Sequence, residues 1–272
     1  MIVTLLLALA GVLLIAPLAY RIILHWPEDR SVLRHWHRCA VCGERLPSHH
    51  WIPWVEALRR EAPPCQHAQP RLMLGTYLFF IAMGIILGVT HLSQPWPVMV
   101  QSLLMVGVFF PLAVIDLNRL EVEPRLIVLG LAGRFIGLGL TQPALLMDML
   151  GGMLVGAGFF TMVNLVYQTL RHRSGLGDGD APMLGLIGAF VGWQGILPVV
   201  ALSALAGLLI APPLLLAMRK KLNSPIPYVP FLAIAGCVIY LLEVGWPGLW
   251  WQALAGQLPV WGDLLRTLVE GR

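Results

Sequence analysis

The sequence predicts an all-α protein, a polytopic membrane helix bundle of about eight transmembrane helices with one cytoplasmic, cysteine-containing loop. Three observations predict it. First, 58% of the 272 residues are hydrophobic and only 12% are charged, at a mean hydropathy of +0.77. Soluble globular domains carry roughly 25% charged and 45–50% apolar residues, so this chain has too little polar surface to cover a water-soluble particle. Second, the apolar residues fall in blocks near the ~20 residues that cross a bilayer as a helix. Third, most of the 18 Lys and Arg are gathered in a few connections between those blocks. A soluble domain and a disordered chain are excluded, and the net charge of +4 does not indicate a nucleic-acid partner.

Taken in order, the blocks cover about 1–24, 72–92, 96–115, 125–141, 143–168, 182–194, 196–218 and 227–250. The first is expected to stay as a membrane helix. No Lys or Arg precedes it, its apolar run is too long for a signal-peptide core, and no small-residue cleavage site follows. Residues 25–71 form the long polar stretch, holding three of the four cysteines and six of the eight histidines. The sixth block is short and Gly-rich, with the least definite limits. From 251 onward, Leu and Trp alternate with Asp263, Arg266 and Glu270, as in a surface-lying amphipathic segment. The expected organisation is a first helix (1–24), a loop (25–71), a membrane core (72–250) and an amphipathic tail (251–272).

Loop charge sets the orientation, because Lys and Arg are retained on the cytoplasmic side. The 25–71 loop carries Arg30, Arg34, Arg38, Arg45, Arg59, Arg60 and Arg71. Arg119 and Arg125, Arg171 and Arg173, and Arg219, Lys220 and Lys221 mark three further turns, whereas the turns at 91–96, 141–143 and 193–195 carry none. Eight spans place the four basic connections in the cytoplasm and both termini outside, in a bacterial cytoplasmic (inner) membrane.

Ionisable groups at membrane depth are costly and commonly mark a site. Asp116 closes the apolar run Val106–Ile115, where it could cap a helix end, pair with Arg119 or do chemistry. Asp178 and Asp180 lie in Ser174-Gly-Leu-Gly-Asp-Gly-Asp-Ala-Pro-Met183, where either could cap the sixth span. Gly175, Gly177 and Gly179 alternate through this turn, which lets the backbone take positive φ and keeps bulk away from the carboxylates. An extended peptide could approach closely there. Both acidic turns fall on the cytoplasmic side, and two carboxylates meeting at such a surface can share a proton, one as general base on water and the other as general acid. Asp148 and Arg134 read as structural, the first in helix packing or an interfacial hydrogen bond and the second snorkelling or paired within the bundle.

These residues resemble the type IV prepilin peptidases, membrane aspartyl proteases of the Gly-x-Gly-Asp type. Gly177-Asp178-Gly179-Asp180 matches that motif. Leu184-Gly-Leu-Ile-Gly-Ala-Phe-Val-Gly-Trp193 resembles its continuation, and Ile115-Asp116-Leu117 resembles the first acidic motif. Ile226-Pro-Tyr-Val-Pro-Phe-Leu-Ala-Ile-Ala235 resembles the segment opening the last span. Cys39-x-x-Cys42, Trp51-Ile-Pro53 and Cys65 resemble the cysteine loop of the long, bifunctional members. The ordered set covers nearly the whole chain.

The resemblance implies that Asp116 and Asp180 are the catalytic pair, with Asp178 at the motif's variable position. It implies an endopeptidase that removes the short basic leader of type IV prepilins or type II secretion pseudopilins at the cytoplasmic membrane face, needing no cofactor for that step. Departures are also plain. Leu120-Glu-Val-Glu-Pro-Arg125 replaces the usual Leu-Pro-Asp stretch, and Pro182 stands where Lys is usual. The second cysteine pair is reduced to Cys65-Gln-His-Ala68, and Pro70-Arg-Leu-Met-Leu-Gly75 replaces an expected Tyr-Pro-x-x-Glu segment. Bifunctional members also methylate the new amino terminus with S-adenosylmethionine; the altered loop gives no basis for transferring that activity.

Cys39, Cys42 and Cys65 form a thiol set that zinc would suit, with His67 as the nearest fourth ligand and His37, His49 and His50 as alternatives. A loop that has lost its metal and keeps its cysteines reduced is the other reading. Cys237 is expected to be a packed apolar side chain. Beside the peptidase stand two other functions, a pilin-binding scaffold that does not cut and a proton-coupled transporter. No internal repeat or mid-membrane carboxylate supports the transporter.

Overall fold

The computed structural model describes residues 2–28, 70–92, 94–171, 177–217 and 226–245. Cys39, Cys42, Cys65, His67 and the tail from 251 lie outside the described residues. Among the described residues the chain forms eight α-helices: α1 (Ile2–His25), α2 (Pro70–Thr90), α3 (Trp96–Arg119), α4 (Pro124–Thr141), α5 (Leu146–Arg171), α6 (Asp180–Val191), α7 (Ile196–Ala217) and α8 (Val229–Gly245). Two 3-10 turns accompany them, Trp26–Glu28 after α1 and Pro143–Leu145 before α5.

Their limits follow local chemistry. Proline opens α3 and α4 at the first or second position, where its missing N–H would be unpaired anyway. Leu120 ends α3 in the left-handed region (φ 59°, ψ 35°), its N–H donating to the Asp116 carbonyl. Gly192 ends α6 at φ 74°, a conformation that a side chain would oppose.

Two expected limits shift. The third helix runs to Arg119, so Asp116 lies in its last turn rather than beyond it. The sixth begins at Asp180 itself, so this carboxylate belongs to the helix.

Helices α2, α3, α4 and α7, together with the stretch Pro143–Arg171, are long and apolar enough to cross a membrane, while Asp180–Val191 and Val229–Val244 are shorter apolar helices. The 12 residues of α6 reach about 18 Å at ~1.5 Å per residue, short of a ~30 Å hydrocarbon core. Helix α6 is accordingly the most enclosed element. Met183, Leu184, Leu186 and Ile187 are wholly buried, packed among α4, α5 and α8. The periphery carries exposed Leu, Ile and Val, with Leu140, Leu154 and Leu208 each more than 60% exposed. An apolar exterior is what lipid requires. Cys237 packs against the core cluster.

Helices α5 and α6 make the most extensive contact in the bundle, and glycine permits it. A Cβ at Gly152 would meet the Gly188 carbonyl, one at Gly188 would meet the Gly152 carbonyl, and one at Gly156 would meet the Leu184 carbonyl. Small residues at such spacing let two backbones touch where water is absent and hydrophobic driving force is weak.

Candidate active site

At one end of the bundle, the C-terminus of α3 and the N-terminus of α6 border a single open cavity of about 790 Å³. Its lining includes Asp116, Glu121, Val122, Glu123, Asp178 and Asp180. Asp116 is 6% exposed and Asp180 is 8% exposed, and they lie close enough for their charges to interact. The two carboxylates singled out in the sequence therefore share one site although two helices intervene in the chain. Asp178, by contrast, is exposed in the same turn.

Each buried carboxylate is held by backbone amides. The Val229 N–H donates to Asp116 Oδ2 over 3.1 Å. Val229 is the first residue of α8, and first-turn amides have no partner within their own helix, so Asp116 satisfies one and sits at the positive end of the α8 dipole. The Gly177 N–H donates to Asp180 Oδ2 over 3.0 Å, and the Asp180 N–H returns to the Gly177 carbonyl over 3.1 Å. This reciprocal turn fixes the Asp180 side chain ahead of its helix. Arg119 donates to the Pro27 carbonyl, tying the end of α3 to the chain leaving α1.

The glycines act differently from the expectation. Gly175 lies outside the described residues, Gly179 does not take positive φ, and the glycine recorded with it among the described residues is Gly192. Gly179 adopts φ −83°, ψ −19°, open to any residue. Its need for glycine is steric, since a Cβ there would collide with the Val122 side chain. The strap between α3 and α4 thus lies directly on the turn that carries Asp180.

Sequence reading did not single out Tyr228, Ser203 or Val122. Tyr228 precedes α8, and its hydroxyl lies 2.8 Å from Ser203 Oγ of α7. Burial raises its phenol above the ordinary value; the Ser203 hydrogen bond opposes this and the Asp180 charge adds to it. It therefore stands as a neutral phenol beside an acidic site. The only local signal was its place in Ile226-Pro-Tyr-Val-Pro230. Among the described residues, no group of His, Cys, Asp or Glu is arranged to hold a metal ion.

The class is defined at this point: a polytopic helical membrane protein with two buried, amide-held carboxyls in one cavity, the equipment for acid–base chemistry without a nucleophilic side chain. Residues 103–212, which contain both aspartates, match the Type IV leader peptidase family. A Prepilin leader peptidase/N-methyltransferase of Dickeya chrysanthemi is 30% identical over 240 residues, covering 85% of this chain and 79% of that protein. One of Aeromonas hydrophila is 27% identical over 221 residues, covering 78% and 71%. The Leader peptidase HopD of Escherichia coli is 38% identical over 109 residues, covering 40% and 67%. No solved structure matches. The chain belongs to the type IV leader peptidase family, and it is a peptidase of the membrane.

Proposed function

We infer that this protein is an aspartyl endopeptidase that removes the leader of prepilins or pseudopilins at the cytoplasmic membrane face, with Asp116 and Asp180 as its catalytic pair. The observation that carries the reading is the meeting of these two buried carboxyls in one open cavity. One carboxylate takes a proton from a water that attacks the scissile carbonyl while the other, protonated, donates to the carbonyl oxygen; the first then passes its proton to the leaving amine, and the second recovers its own as the tetrahedral intermediate collapses. Val229 and Gly177 hold the two oxygens that remain acceptors, which leaves the other oxygen of each carboxyl for the exchange. The names of the relatives supply the substrate class. The acidic lining, with Glu121, Glu123 and Asp178 added to the pair, suits a basic leader.

The test uses purified protein in detergent and a synthetic prepilin bearing its basic leader, with release followed by mass. Asp116→Asn and Asp180→Asn should each insert normally and lose cleavage by more than about 10³-fold, the scale expected when an acid–base group is removed. Full processing by either variant would sink the assignment. If the wild type binds such substrates and never cuts them, the scaffold reading replaces this one.

The proposal stops at peptide-bond cleavage. The second cysteine pair and the segment after it are altered, so methyl transfer from S-adenosylmethionine is not included; a methyl mass on the new amino terminus in the same assay would contradict that restriction. For the loop itself, three thiols and one imidazole from Cys39, Cys42, Cys65 and His67 are a donor set for a closed, structural zinc. Metal analysis should find one zinc per chain, lost in Cys39→Ser and Cys42→Ser. Metal-free wild-type protein would remove zinc from the proposal.

A further inference from the structure

At the opposite end of the bundle from the aspartates lies a second cavity of about 390 Å³, and Arg134 of α4 forms part of its wall. Arg134 is only 9% exposed. Its Nε donates to the Ala189 carbonyl over 3.2 Å and Nη2 to the Phe190 carbonyl over 3.4 Å. These are two of the last carbonyls of α6, which a helix leaves without internal partners. The third nitrogen, Nη1, donates to Gln101 Oε1 of α3 over 3.4 Å, and the guanidinium lies 5.1 Å from the centre of the Phe190 ring. Gly137, one turn beyond Arg134, makes room for the Gln101 amide, because a Cβ there would overlap it. One side chain therefore fastens the end of α6 to both α4 and α3.

The helices joined at this clasp are the ones that carry the two aspartates at their other ends. Asp180 begins α6, and Asp116 lies in the last turn of α3. Helix α6 is short and rigid, so displacement at one end moves the other. Its principal contact, with α5, runs through glycines. A glycine seam fixes the distance between two backbones but presents few side-chain knobs against sliding along their common axis. The buried side chains of α6 pack against α4 and α8, and its end at 189–190 adds a charged, two-pronged contact that resists axial sliding. A guanidinium suits this role because its planar fork addresses two carbonyls at once and its charge favours the negative end of a helix.

We propose that Arg134 is a positioning residue for the peptidase reaction, setting the register of α6 against α3 and hence the placement of Asp180 against Asp116. The inference rests on the aspartyl-peptidase reading, and the experiment separates the two. Wild type, Asp116→Asn and Asp180→Asn establish the reaction. Arg134→Gln, which keeps a donor but loses the charge and the fork, should lower kcat by about tenfold to a hundredfold, as expected when reacting groups shift by the order of 1 Å. KM should stay within about twofold, since the cavity that receives the substrate is intact. Arg134→Lys, with the charge but one contact point, should fall between.

A second readout needs no activity. Hydrogen exchange in detergent should quicken in Arg134→Gln over the first turn of α6, from Asp180 to Leu184, as well as at residues 189–192. Wild-type kcat in a folded Arg134→Gln protein would overturn the proposal. So would quickened exchange confined to 189–192 with the first turn still protected, or a loss of kcat that disappears when the rate is normalised to the folded fraction of the protein. If Arg134→Gln does not fold, Arg134→Lys is judged on the same criteria. Cleavage that survives in either aspartate variant, or a wild type that does not cut, removes the peptidase reading alone, and the exchange result still decides the role of Arg134.

Discussion

Gly179 shows how one hydrogen atom in place of a methyl group can govern a site. Its backbone conformation is ordinary, so a change to Ala costs nothing in φ and ψ. The cost is steric, because the new methyl would drive against Val122. Overpacking of this kind costs about 1–3 kcal/mol, and here relief can come only by moving the α3–α4 strap or the turn that holds Asp180. Gly179→Ala should therefore lower cleavage by about tenfold or more, and Val122→Gly placed in the same chain, which removes the Cβ as well as the methyls that the new group would meet, should restore most of it. Equal losses in the single and double variants would show that the contact with Val122 is not the reason for glycine. Both aspartates were legible in the sequence through the motifs around them, Ile115-Asp116-Leu117 and Gly177-Asp178-Gly179-Asp180, since a carboxylate at the end of an apolar run is by itself as well explained by helix capping. Tyr228, Ser203 and Val122 were not, since an aromatic, a hydroxyl or an aliphatic residue in such a run is commonplace. Their roles come from neighbours far away in the chain.

At the scale of the element, helix positions were readable from apolar run length and prolines, and their ends were less so. Asp116 and Asp180 read as flanking residues because hydropathy falls at a charge, yet helix hydrogen bonding continues through both. What joins the helices was not readable at all. His91, in the turn between α2 and α3, is fully buried. Its Nδ1 lies 3.0 Å from the Leu87 carbonyl and its Nε2 2.8 Å from Ser102 Oγ; Ser102 Oγ in turn lies 3.3 Å from the Tyr240 oxygen of α8. Burial lowers the His91 pKa below its ordinary value, with the Leu87 hydrogen bond opposing. The folded protein thus resists a proton that the unfolded chain accepts near pH 6.5. The folded state loses no stability on this account above that pH and loses it progressively as pH falls below. Thermal melting in detergent should drop between pH 7.5 and 5.5, and His91→Gln should flatten that drop while melting lower at pH 7.5. A slope unchanged by the substitution would mean that other groups carry it.

For the whole molecule, two cavities face opposite ends of the bundle and differ in surroundings. The aspartate cavity is bordered by the connections of α3 to α4 and into α6, which belong to the Arg-bearing set in the sequence. The Arg134 cavity is bordered by turns such as Gln142 and Gln194, which belong to the set without Lys or Arg. Retention of positive charge in the cytoplasm supports the orientation we propose, with the aspartates inward and the clasp outward. A cytoplasmic cutting site is also where a substrate that arrives as a membrane helix with a basic cytoplasmic leader would present its scissile bond. Single cysteines at Gln142 and Asp178, both exposed, test this in a chain whose four native cysteines are replaced by Ser. A membrane-impermeant maleimide added to spheroplasts should label Gln142→Cys at once and leave Asp178→Cys unlabelled until the membrane is permeabilised. The reverse pattern would put the aspartates on the outer face, away from any cytoplasmic leader. The proposed substrate would then be excluded by geometry even with both carboxyls in place.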